Sequence, residues 1–216
     1  MEFLLRNTDG SPELTLIMLG SFAILVVLKL LHQYQFEELI ALVNNGKYLL
    51  LFNKRDRKLS FFNPLFYVFA VINLSVLFYL TIARLPFISV ENPILIYIIN
   101  ILNIYFVAKY LIEKIVFETL DLTAFFEHFN FQRTTYNNLI SLIIFAINIL
   151  LIYIFPTPGT NLIYLCLAIV GLLYIINLVF LVISHLNYFL KYWFYFILYL
   201  CIFEISPILL GVFLLK

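Results

Sequence analysis

Long apolar runs, each parted from the next by turn residues or charges, set the pattern of this chain. They are Leu14–Leu31, Leu65–Ala83, Ile94–Ile112, Leu139–Phe155, Leu162–Ile183 and Trp193–Leu215. A hydrocarbon core about 30 Å thick is crossed by about 20 helical residues, so each run predicts a transmembrane helix. The breaks carry turn chemistry: Asn63-Pro64, Asn92-Pro93 and the stretch from Pro156 to Asn161. Backbone exposed to lipid must satisfy its own hydrogen bonds, which favours helices. No short alternating strands of a membrane barrel are visible.

Two segments between the runs are longer than a connector needs. In residues 32–64, Phe36, Leu39, Ile40 and Val43 recur at helical spacing, and Asn44-Asn45-Gly46 supplies a stop. The expectation is a short amphipathic helix lying on the membrane surface. In residues 113–138 a helical period continues through Val116, Leu120, Ala124 and Phe125. Either the third span runs on as an extension, or a separate interfacial helix follows it. Residues 184–192 form the third connector on this side. The predicted fold is thus all-α: one polytopic membrane bundle, residues 1–216, of about six spans with interfacial helices.

Composition supports this. The chain has 216 residues, of which 64% are hydrophobic and 12% charged, with a mean hydropathy of +1.06. A soluble domain of this size could not cover so much apolar surface with so few charges. The N-terminal run, with Glu2, Asp9 and Glu13 before it and no small-residue cleavage site after it, is expected to remain as a span. The two cysteines, Cys166 and Cys201, give neither a disulfide framework nor a zinc pattern. A net charge of +1 offers nothing to a nucleic acid.

The distribution of charge matters more than its sum. Lys29, Lys47, Lys54, Arg55, Arg57, Lys58, Lys109, Lys114, Arg133 and Lys191 fall on one side of the predicted spans, against Arg6, Arg84 and Lys216 on the other. Basic loops stay cytoplasmic, so both termini are expected on the periplasmic face of a bacterial inner membrane. Lys54, Arg55, Arg57 and Lys58 form a basic patch suited to anionic headgroups or to a docking partner.

Depth counting then brings out a polar layer. Glu204 lies eleven residues after Trp193, about 16 Å along a helix and near the bilayer centre. Asn148 and Asn103 fall near the same depth, Asn73 slightly inward and Asn100 slightly outward. A carboxyl there is costly and normally faces the bundle interior. With no cation at its depth, Glu204 is expected to be neutral or proton-exchanging. It serves either as hydrogen-bond glue between helices or as a proton carrier. Pro207 frees the carbonyl of Phe203 beside it, making a small polar niche.

Other candidate chemistry is thin. The acids Glu113, Glu118, Asp121 and Glu127 sit near His128; Glu118, Asp121 and His128 approach metal-ligand spacing, and a solvated helical face explains them as well. His32, His128 and His185 fall on the predicted cytoplasmic side with no spacing that links them. No nucleophile elbow, zinc-protease motif or phosphate loop appears. The expectation is a non-enzymatic protein with no cofactor and no small-molecule ligand, its partners being the lipid bilayer and other membrane or envelope proteins.

The C-terminal stretch YWFYFILYLCIFEISPILL resembles a family of uncharacterised multi-pass membrane proteins from Bacteroidota, a domain of unknown function with an LYLCxxEIxPxLL-like motif. The matching positions are Leu198, Tyr199, Leu200, Cys201, Glu204, Ile205, Pro207, Leu209 and Leu210. The resemblance implies an inner-membrane, multi-pass protein and supplies no activity. Two functions fit the residues: a subunit or scaffold of a larger envelope assembly, for secretion or motility, and a proton-coupled or small-molecule transporter using Glu204. The first is favoured by the long cytoplasmic segments and the absence of matched broken helices.

Overall fold

The computed structural model describes residues 12–42, 61–83, 94–119, 121–155 and 159–184. Those residues form six α-helices: α1 Pro12–Leu31, α2 Gln33–Ala41, α3 Phe62–Ile82, α4 Ile94–Thr119, α5 Thr123–Ile149 and α6 Thr160–Ser184. The chain is all-α, and five of these helices are long and apolar enough to cross a membrane; α2 is the short one. They coincide with the first five predicted runs. The predicted sixth span, Trp193–Leu215, lies outside the described residues, as does the 184–192 connector beyond Ser184.

α3 begins at Phe62, with Pro64 inside its first turn. A proline there loses no helical hydrogen bond and its fixed φ suits the helix. The Asn63-Pro64 pair therefore opens the helix instead of preceding it. The C-terminal end of α5 widens. Leu150–Ile154 form a π-helical turn, and the Phe155 amide donates to the Leu150 carbonyl at 3.1 Å. Phe155 precedes a proline, which disfavours the α region, and it adopts φ −116° and ψ 77°.

The stretch expected to be a connector, 113–138, is almost wholly helical. α4 runs on to Thr119 and α5 starts at Thr123, so the two form a long hairpin. Their junction is a Schellman cap. The Asp121 amide donates to the Glu118 carbonyl at 3.2 Å and the Leu122 amide to the Phe117 carbonyl at 3.0 Å. Asp121 occupies the left-handed position, φ 56°. Hydropathy falls where charges begin, but helical hydrogen bonding does not, which is why the apolar runs end before the helices do.

α3 sits at the centre, packed against α1, α4 and α5, while α5 also packs against α6. Phe69 meets Phe145 with ring centroids 5.5 Å apart, and Asn148 bonds Asn73, so α3 and α5 run parallel. α5 and α6 run antiparallel, with Asn137 meeting Asn177 near one end and Leu151 clustering with Ile163 near the other. The main core gathers Leu28, Phe36, Leu39, Phe62, Phe66, Phe69, Val76 and Phe145. Its spine is a run of rings, Phe36 stacked on Phe66 and Phe66 turned edge-on to Phe69, an arrangement aromatic quadrupoles favour. A second cluster joins Leu77, Ile140, Ile144, Leu151, Ile163, Cys166 and Val170 between α3, α5 and α6.

α2 departs from expectation. Phe36, Leu39 and Leu42 are turned into the bundle, and Ile40 is exposed; Val43 lies outside the described residues. His32, at φ −132° and ψ 47°, interrupts the helix between α1 and α2. That bend folds Phe36 and Leu39 back onto the bundle, so this part of the apolar face packs on protein.

Candidate functional site

Four helices were expected to bring polar groups to one layer, and the structure divides that layer. Asn73 and Asn148 are fully buried and meet. The Asn148 Nδ2 donates to the Asn73 carbonyl oxygen at 2.8 Å, and the Asn73 Nδ2 donates to the Phe69 carbonyl at 2.8 Å. Asn103 instead accepts from the Tyr67 hydroxyl through Oδ1 at 2.7 Å, at the exposed edge of the α3–α4 contact. Asn100 is exposed, and its Nδ2 donates to the Ile96 carbonyl of its own helix at 2.9 Å. Glu204 and Pro207 lie outside the described residues, as do Lys54, Arg55, Arg57 and Lys58.

The buried face of α5 is polar over much of its length. Thr135, Asn138, Ser141 and Asn148 are all buried on it. The hydroxyls spend their protons locally: Thr135 on the Phe131 carbonyl and Ser141 on the Asn138 carbonyl. Asn137, one residue before Asn138, accepts at 3.3 Å from the Nδ2 of Asn177 on α6. These bonds follow from the low local dielectric, in which a buried donor without a partner is expensive.

A second site was not foreseen as a unit. Glu113 of α4, whose side chain is 0% exposed, receives two parallel bonds from Arg133 of α5. Arg133 Nη1 donates to Oε1 at 2.9 Å and Nη2 to Oε2 at 2.6 Å. Nη2 also donates to Asn130 Oδ1 at 3.0 Å, and the guanidinium lies 5.7 Å from the centre of the Phe129 ring. The Lys109 ammonium stands 4.0 Å from Glu113 Oε1, one helical turn back. Two-pronged guanidinium–carboxylate geometry of this kind is strong and directional. A buried carboxylate demands such a partner. The sequence clue was Glu113 itself, an acid with Leu111, Ile112, Ile115 and Val116 about it.

The remaining candidates are apart. Glu118 pairs with Lys114 at 3.7 Å on an exposed face, Asp121 serves the helix cap, and His128 lies 3.3 Å from the Gln132 amide nitrogen. Among the described residues, no three His, Cys, Asp or Glu side chains converge as a metal site. His32 packs edge-on against Phe62, while His185 is outside the described residues.

No curated protein and no solved structure matches the chain. A family model does, over residues 14–215, which is nearly the whole sequence and reaches across all the spans predicted from it. With that match the chain belongs to the family described as Domain of unknown function (DUF4271).

Proposed function

We propose that this protein is a non-enzymatic inner-membrane subunit or scaffold of a larger cell-envelope assembly. One observation carries the reading: the α4–α5 hairpin runs on past the start of α3 and is joined at its base by a buried ion pair, with α6 following α5 as far as the cluster of Phe129 and Leu181. The Asn73–Asn148 contact sets the α3–α5 offset at 75 residues, so the start of α3 at Phe62 is level with residue 137. α5 begins at Thr123, about 21 Å further along its axis at about 1.5 Å per residue. The Glu113–Arg133 pair clamps the two helices there, and rings of Phe117, Phe125 and Phe126 fill the space between them. On the outside, Ile112, Ile115 and Val116 are exposed.

A clamped helix pair with an apolar outer face suits a partner helix or domain better than it suits a moving gate. Purification in mild detergent is expected to recover stoichiometric partners with the native chain and to lose them with Ile115→Glu. A lone, monodisperse chain with transport activity in vesicles would overturn the reading.

A second reading, a proton-coupled or small-molecule transporter using Glu204, is favoured by the buried Asn73–Asn148 contact at the depth expected for that acid. It predicts that Glu204→Gln abolishes function while protein level and assembly stay intact.

A further inference from the structure

The Asn73–Asn148 contact has two acceptors to spare. Each amide orientation is forced: the nitrogen of Asn148 faces the Asn73 carbonyl, and that of Asn73 faces the Phe69 carbonyl. Turning either amide over would set oxygen against oxygen. The two Oδ1 atoms are therefore real acceptors, and both are buried without a hydrogen-bond donor among the described residues.

The neighbouring hydroxyls have nothing left to give. Ser75 donates to the Val71 carbonyl at 2.7 Å, Ser141 to the Asn138 carbonyl at 2.7 Å, and Tyr67 to Asn103. A hydroxyl carries one proton, so each is committed. An orphaned buried acceptor costs about 1–3 kcal/mol, and the α3–α5 contact carries one on each of its two asparagines. Charge on the missing donor is disfavoured, because two neutral amides among Phe69, Val76, Leu77, Ile144 and Phe145 cannot replace the hydration of a cation.

We propose that Asn73 and Asn148 form an intramembrane binding site for a small neutral O–H donor, with water as the smallest ligand of that class. The site lies between α3 and α5, immediately before the π-helical turn at Leu150–Ile154. It is independent of whether the α4–α5 hairpin binds a partner.

Magic-angle-spinning NMR of the full chain in liposomes, with asparagine labelled in carbon and nitrogen, tests this. Asn73→Ser and Asn148→Ser, which keep a polar side chain, assign the two signals by their disappearance. Both side-chain carbonyls are expected at shifts typical of hydrogen-bonded amides. Magnetisation transfer from water to these signals identifies water as the donor. Hydrogen-bonded shifts without such transfer identify a bound hydroxyl-bearing molecule if they survive Glu204→Gln, and overturn the proposal if that substitution abolishes them, since the donor is then the chain's own carboxyl. Carbonyl shifts typical of unbonded amides at both residues would overturn the proposal.

Discussion

Arg133 grips Glu113 with both terminal nitrogens, at 2.9 and 2.6 Å, across twenty residues of sequence and one helix reversal. The carboxylate is enclosed, whereas the guanidinium keeps 17% of its side chain exposed. Removing the cation therefore strands a buried charge, which is worse than losing an attraction. Arg133→Ala is expected to destabilise the protein by about 3–5 kcal/mol, the range for breaking a buried pair. Thermal unfolding in detergent measures it. The exchange Glu113→Arg with Arg133→Glu should recover part of the loss, held back by the new arginine's closeness to Lys109. No recovery at all would mean that the pair is not what joins the helices.

Phe66 is fully buried in the run of rings that joins α2, α3 and α5. Phe66→Ala should cost about 3–5 kcal/mol, the usual range for such a cavity. Ile104→Ala, at a site 68% exposed, should leave the melting temperature nearly unchanged. Equal effects from the two would show that α3 is not the centre of the bundle.

Asp121 holds a backbone conformation that costs a non-glycine residue about 1–2 kcal/mol. Asp121→Gly should accordingly stabilise the α4–α5 hairpin by up to about 1 kcal/mol, since glycine regains some of this as unfolded-state entropy. Asp121→Val, branched at Cβ, should destabilise it. Unfolding midpoints of the two variants are expected on opposite sides of the native value.

Leu39 is fully buried on the inner face of α2. Leu39→Asp should release α2 from α3 and α5, seen as faster backbone hydrogen exchange across Gln33–Ala41 with little change in α6. Were α2 to rest on headgroups through this face, exchange would instead depend on lipid composition.

The spans were legible because hydropathy is a local, additive signal, and five of the runs reappear within helices, although α4 runs seven residues past its expected end and α5 starts sixteen before its expected beginning. Depth was legible too: rise per residue put Asn73 and Asn148 near one level, and they touch. Azimuth was not. Asn100 and Asn103 share a depth range with them but sit on the exposed side of α4, because facing direction depends on which helix packs where. The Glu113–Arg133 pair was hidden for a related reason. Its partners meet only if the chain reverses at Asp121, and that reversal rests on one backbone conformation instead of a glycine or proline. Of the predicted α2 face, Phe36 and Leu39 turn into the bundle and Ile40 does not, since period alone does not distinguish a membrane surface from a protein one.

The parallel pairing of α3 with α5 also bears on biogenesis. Two parallel neighbours need an intervening crossing, here α4, before they can meet. As the chain emerges from the ribosome, α3 must wait in the bilayer with Phe69, Asn73 and Val76 uncovered until α5 arrives. A nascent chain stopped after Thr119 would present that face to lipid or to an insertase, whereas one stopped after Phe155 would not. The third helix is thus where a membrane chaperone has most to protect, for the time it takes to synthesise two more.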